Sequence, residues 1–206
     1  VPRITDERRE ARREQVLEAA RACLEEHGLE ALSMEMIIAR SGLSTGAVYG
    51  YFKGKDQLIN AVVTEGMAAM SEDLAPVLTN PEPPPLPEFV EQVLRTAMDF
   101  GRNKGDIDRL RVSLHGWSHA QSDPELEAAT RASYSGLRKL FRDVVKRWQA
   151  AGTFDAAADP EGVAELLTSI TLGFVAQRAL AGSADVTAHV AALEALTHRS
   201  VAGIAP

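Results

Sequence analysis

Apolar residues recur every three or four positions along almost the whole chain, and nowhere do they alternate as a strand requires. Residues 6–27 carry Val16, Ala20, Cys23, Leu24 and His27 at this spacing, with charges on the other face, which predicts a first helix. Asp6 is placed to cap it and Gly28 to end it in the left-handed conformation. Ser33 can cap a second helix that buries Ile37 and Ile38. Gly42 can supply the positive φ of a turn, and Ser44 can cap a third helix. On that helix Val48 and Phe52 fall four apart and face inward, while Thr45, Gly46, Tyr49 and Gly50 face outward. So short a helix is not stable alone and must be held by packing against its neighbours. A fourth helix is expected to begin at Asp56 and to run through Leu58, Ile59, Val62, Val63, Met67 and Met70 to about Leu78.

Residues 79–87 hold five prolines in nine positions, so no helix passes through them. They read as a stiff loop, or less readily as a proline-rich ligand for a partner. Beyond them the helical period resumes. One helix spans 87–103 with Phe89, Val93, Leu94, Ala97, Met98 and Phe100, and another spans 106–121 with Ile107, Leu110, Leu114 and Trp117. Asp123-Pro124 and Asp159-Pro160 are two further starts, each an acidic cap followed by proline at the first helical position. The first leads through Leu126, Tyr134, Leu137, Phe141, Val144, Val145 and Trp148 to Gly152. The second leads to about Gly182 and is apolar nearly all round, so one side faces its own core and the other is expected to meet a second subunit. A last helix starts at Asp185.

The expected fold is therefore all-α. Residues 1–55 form a three-helix DNA-binding domain, followed by a larger helical domain over 56–206. In the first of these, two helices joined by a tight glycine-containing turn have the form of a helix-turn-helix, whose second helix enters the DNA major groove.

The 206-residue chain is 45% hydrophobic and 25% charged, in the range of ordinary globular proteins. No continuous apolar run approaches the roughly 20 residues that cross a bilayer. The charged N-terminus lacks the apolar stretch of a secretory signal, and Cys23 is the single cysteine, so the expectation is a reducing cytoplasm with no disulfide and no membrane. The net charge of −7 is unusual for a DNA binder, but its distribution removes the difficulty. Residues 1–55 hold nine basic and nine acidic side chains, so all the excess acid lies outside them. Arg3, Arg8, Arg9, Arg12 and Arg13 cluster at the N-terminus. Most of these have acidic neighbours, which leaves one or two for phosphate.

Across residues 33–58 the chain resembles the tetracycline-repressor (TetR) family of bacterial transcription regulators. The matching residues are Ser33, Ile37, Ser41-Gly42-Leu43-Ser44, Thr45-Gly46, Val48-Tyr49, Tyr51-Phe52 and Lys53-Gly54-Lys55-Asp56-Gln57-Leu58. Ile38 departs from it, where the family usually has alanine, and so does Gly50, where members often carry a larger base-facing side chain. The resemblance implies a homodimer that binds a DNA operator through residues 1–55, while the domain over 56–206 binds ligand, dimerises through its last two helices and answers to a small-molecule effector by moving helix four. The implied DNA-contacting residues are Ser33, Ser44, Thr45, Gly46, Tyr49, Tyr51 and Lys55. Ser33, Tyr49 and Lys55 are expected on phosphates, and Thr45 and Gly46 near base edges. For Tyr51, contact and core packing with a wet hydroxyl stay equally open.

Candidates for an effector pocket are Met67, Met70, Met98, Leu114, Trp117, Tyr134, Phe174 and Arg178. The apolar members serve equally as core, while Trp117, Tyr134 and Arg178 suit a pocket that orients its ligand with a few polar groups. His115 and His119 fall four apart beside Arg111. The intervening residues supply no glutamate, and a nearby arginine repels a cation, so solvated or pocket-edge histidines are expected rather than a metal pair. The chain has no glycine-rich phosphate loop, nucleophile elbow or metal cluster, so neither catalysis nor a cofactor is expected. An enzyme and a protein-interaction module are the competing classes. Activation and repression are not distinguished.

Overall fold

The computed structural model describes residues 6–102 and 108–198. Among these, all regular structure is helical: α1 (Asp6–Ala31), α2 (Met34–Ser41), α3 (Thr45–Tyr51), α4 (Lys55–Leu78), α5 (Leu86–Arg102), α6 (Arg109–Ala120), α7 (Pro124–Ala150), α8 (Pro160–Ala181) and α9 (Val186–His198). The fold is the expected one, an N-terminal helix-turn-helix bundle with a larger helical domain. The chain divides into two compact units. One comprises Val1–Ala68 and Lys104–Thr130, the other Ala69–Asn103 and Arg131–Pro206.

In the first unit α1 packs against α2 and α6. Leu17 and Leu24 of α1, Ile37 of α2, Val48 of α3 and Leu58 and Ile59 of α4 close a core at 2% exposure or less. That core holds α3, which has only seven residues and could not stand alone. The turn residues act as their chemistry dictates. Ser33 accepts from the Met36 N–H at 3.3 Å, and Ser44 accepts from the Ala47 N–H at 3.3 Å. Each satisfies a backbone donor that a helix start leaves unpaired. Gly42 ends α2 in the left-handed conformation, at φ 67° and ψ 9°.

Two expectations need correction here. Gly28 has the positive φ foreseen for it (74°), but its ψ is extended at 174°. The chain therefore kinks and resumes helix through Ala31 instead of stopping at residue 27. His27, placed on the buried stripe by its spacing, is exposed beside Glu26 at 3.5 Å. The sixth helix starts at Arg109, capped by Asp108, whose carboxylate accepts from the Leu110 and Arg111 N–H groups. The earlier start at Asp106 and the end of the fifth helix at Asn103 lie outside the described residues.

In the second unit α5 packs against α8 and α9. Its core is built on aromatic edges: Phe89 meets Phe141 at 6.0 Å and Trp148 at 5.1 Å, both edge-on, and Phe154 stacks on Trp148 at 5.8 Å. The proline-rich loop is fastened to this cluster. The Trp148 indole N–H donates to the carbonyls of Pro84 (2.9 Å) and Pro83 (3.3 Å), and Arg147 donates to the Leu78 carbonyl at 2.6 Å. Its chemistry is thus that of an internal strap. In α8, Ala164, Leu167, Thr171, Phe174 and Val175 face the core. Leu166 and Leu180 of α8 and Leu196 of α9 are 59%, 76% and 75% exposed. By length and composition alone α8 is apolar enough to cross a bilayer, a test that the core helix of a soluble protein also passes. No continuous apolar run is needed for that, since Glu165, Gln177 and Arg178 are outweighed when hydropathy is averaged along the helix.

Candidate nucleic-acid interface

The recognition helix α3 has two faces of opposite character. Val48 faces the core, with Phe52 just past the C-terminal end, and Ser44, Thr45, Gly46, Tyr49, Gly50 and Lys53 are exposed. These outward positions share one side of a 3.6-residue helix. A Cβ built on Gly46 or Gly50 meets no atom within 4 Å, so the surface is bare at both positions. Tyr49 is exposed, whereas Tyr51 lies half-buried against the first core.

The flanks of this face are rigidly set. Gln15 donates to the Ser41 carbonyl at 2.7 Å, and the buried Ser41 hydroxyl donates to the Ile38 carbonyl at 2.9 Å and accepts from the Leu43 N–H at 3.3 Å. Ser41 belongs to the Ser-Gly-Leu-Ser turn that the sequence marks, whereas nothing in the sequence points to Gln15. Lys55 is half-buried, and its ammonium donates to the Leu29 carbonyl at 3.2 Å, tying the end of α1 to the start of α4. Lys53, part of the same corner but not among the expected DNA contacts, is exposed and donates to the Tyr49 carbonyl at 3.2 Å. Of the N-terminal arginines, Arg8, Arg9 and Arg12 are exposed. Arg13 is committed to Glu10 and Glu65, and Arg3 lies outside the described residues.

The pocket candidates fall in both units. Met67, Leu114 and Trp117 belong to the first unit, and Met70, Met98, Tyr134, Phe174 and Arg178 to the second. Phe174 is buried in the second core, edge-on to His189 at 5.2 Å. Arg178 donates to the Gly182 carbonyl at 2.9 Å, closing the end of its own helix. Met70 and Met98 lie against the second core, and Met67 against the first.

His115 and His119 differ in surroundings. Burial, and then the charge of Arg111, push the His115 imidazole below its ordinary pKa. His119 lies 4.0 Å from the Asp123 carboxylate. That carboxylate caps α7 by accepting from the Glu125 and Leu126 N–H groups, both at 2.9 Å, and it accepts from the Asn60 amide at 3.0 Å. The Leu126 N–H and the Asn60 amide hold Asp123 below the usual carboxylate range. Among the described residues no three His, Cys, Asp or Glu side chains gather as they would around a metal ion.

A capped helix, a left-handed glycine turn and a second helix whose outer face is polar and bare define a helix-turn-helix regulator. The family described as bacterial regulatory proteins of the tetR family matches residues 16–62, and the one described as BetI-type transcriptional repressor, C-terminal, matches residues 87–206. The chain belongs to the TetR family of transcriptional regulators. It is 32% identical over 136 residues to the HTH-type transcriptional repressor Rv1474c of Mycobacterium tuberculosis, covering 63% of this chain and 68% of that protein. It is 29% identical over 145 residues to the HTH-type transcriptional regulator BetI of Stenotrophomonas maltophilia, covering 68% and 71%. A TetR transcription regulator from Haloarcula marismortui has the same fold, with a TM-score of 0.72 at 21% identity over 88% of this chain and 93% of that one.

Proposed function

We propose that the chain is a homodimeric repressor that binds a palindromic operator and is released by a small, mostly apolar effector. The observation that carries this reading is the outer face of α3, where Ser44, Thr45, Gly46, Tyr49 and Gly50 are exposed on a helix fixed by its opposite face. Ser33, Tyr49 and Lys55 contact phosphates, Ser44, Thr45 and Gly46 lie along the groove, and Tyr51 adds its hydroxyl at the edge. With no side chain at Gly46 the backbone can come close to the base edges. The surplus negative charge lies outside residues 1–55 and so does not oppose the approach.

Dimerisation through α8 and α9 is supported by the exposed Leu166, Leu180 and Leu196. A two-fold dimer reads two half-sites whose centres lie roughly 34–36 Å apart. An effector that changes this separation loses contacts on both halves at once, so a coupling of ~1–3 kcal/mol suffices for a switch. Met67, Met70, Met98, Leu114, Trp117, Tyr134, Phe174 and Arg178 are the proposed effector-binding set, and the cytoplasm, where the DNA is, is the proposed location.

The test is a titration of the full chain against a duplex taken from upstream of its own gene, at stepped salt. The logarithm of affinity is expected to fall linearly with the logarithm of salt, and Lys55→Ala to reduce the slope by about 1. Failure to retain the duplex at low salt, or retention indifferent to salt, sinks the reading.

A further inference from the structure

A carboxylate of α4 is held by two arginines of α1, and one of those arginines also covers the end of the recognition helix. Glu65 uses both of its oxygens. Oε1 accepts from Arg13 Nη2, and Oε2 faces Arg21 Nη2 at 3.5 Å. Arg21 is a fixed post: its residue is 8% exposed, and it also donates to Glu14 at 2.6 Å and Glu18 at 3.0 Å. Arg13 is less confined. Its other partner is Glu10, one turn back on α1 at 3.3 Å, and its guanidinium carbon lies 5.6 Å from the centroid of the Phe52 ring. Phe52 is 3% exposed and caps α3, its N–H donating to the Val48 carbonyl at 3.0 Å.

Two further ties fix this part of α4. Asn60 donates to Asp123, the cap of α7, and Val63 packs on Gly116 of α6. The helix itself continues from the first unit (residues 55–68) into the second (69–78). Glu65 is thus placed where the position of α4 can be read by Arg13 and passed to Phe52. Without the Glu65 charge, Arg13 retains only Glu10, on its own helix, and is no longer drawn over the ring.

We infer that Glu65 is a positioning residue for DNA recognition, setting the recognition helix through an α4–α1–α3 relay of Glu65, Arg13 and Phe52. The inference rests on the DNA-binding reading above. It makes a prediction of unusual sign. Removing a negative charge near a DNA-binding face ordinarily strengthens binding or leaves it unchanged, because repulsion from phosphate falls. The relay requires weaker binding.

The experiment uses the full chain, duplexes selected by the wild type from a random pool, and three variants. Glu65→Gln is expected to lower affinity fivefold or more, on the order of the coupling found between linked sites. Arg13→Lys leaves the net charge unchanged but loses the planar fork that both grips a carboxylate and lies over a ring. It is expected to lower affinity similarly. Glu72→Gln removes the same charge from an exposed turn of α4 and is expected to bind as the wild type does. Glu65→Asp, which keeps the charge, is expected to recover part of the loss. The relay is also read without DNA, from the Phe52 ring resonances, which are expected to move in Glu65→Gln and Arg13→Lys and to stay in Glu72→Gln. Wild-type resonances in both relay variants overturn the inference, as does affinity within twofold of wild type in both. A wild type that selects no duplex refutes the DNA-binding reading, and the ring resonances then decide the relay alone.

Discussion

Gly116→Ala adds one methyl group where α6 crosses α4. The new Cβ would lie 2.8 Å from both methyls of Val63 and 3.4 Å from its Cβ. Carbon atoms pack comfortably at about 3.5–4.0 Å, so the pair must open by roughly 0.7 Å or more. Val63 cannot swing aside cheaply, because a β-branched side chain in a helix has one strongly preferred rotamer, and it is itself buried. Overpacking of this kind costs ~1–3 kcal/mol. Against it stands the ~1 kcal/mol that alanine gains over glycine inside a helix. The net expectation is a loss of up to ~2 kcal/mol. At ~2–4 °C per kcal/mol for a chain of this size, that lowers Tm by several degrees. The decisive assay is the same substitution in a Val63→Ala background, with urea unfolding followed by circular dichroism. There the obstruction is gone, and Gly116→Ala is expected to stabilise by up to ~1 kcal/mol. An equal effect in both backgrounds would show that the two helices do not meet at this pair, and would refute the reasoning.

Two more outcomes follow from the contacts described. Asp123 is held below its unfolded pKa, so it adds stability above about pH 4 that disappears as pH falls through the folded value. Asn caps a helix as well as Asp does. Asp123→Asn should therefore keep α7 capped and flatten the loss of stability between about pH 5 and 3, measured as urea midpoints, and an unchanged acid limb counts against the assignment. Trp148→Phe keeps an aromatic ring beside Phe89 and Phe154 but removes the donor to Pro83 and Pro84. A loss of about 1 kcal/mol is expected, with faster proteolysis inside residues 79–87, and wild-type protease resistance would show that the strap does not depend on the indole N–H.

What could be read from sequence was local. Ser33, Ser44 and Asp159 cap because a side-chain oxygen and the next few N–H groups suffice, and Gly42 turns because glycine alone adopts its φ without strain. Gly28 shows the limit of the same logic. A positive φ was foreseeable, but φ without ψ does not say whether a helix ends or only kinks, and the packing around residues 29–31 decides it. Lys55 reads as a phosphate ligand, and nothing in its sequence neighbours points to its bond with the Leu29 carbonyl. Arg13 and Arg21 lie in an N-terminal stretch that reads as a solvated, salt-bridged face, yet their partner Glu65 is more than forty residues away. The pocket candidates were the least legible. Apolar periodicity marks burial, and burial is equally the property of a core residue such as Phe174 and of a residue lining a cavity.

The empty space around Gly46 and Gly50 has a consequence for how this regulator can change its address. On the proposed reading, base preference is written on a face where side chains can be added without touching the fold, while the residues that hold α3 in place lie on the other side. Substitution there should even gain helix stability, by up to ~1 kcal/mol per glycine replaced. Drift in the DNA sequence recognised, or deliberate grafting of another member's base-reading residues, is therefore uncoupled from folding at these two positions. The helix is a blank key, already cut to fit the lock's body.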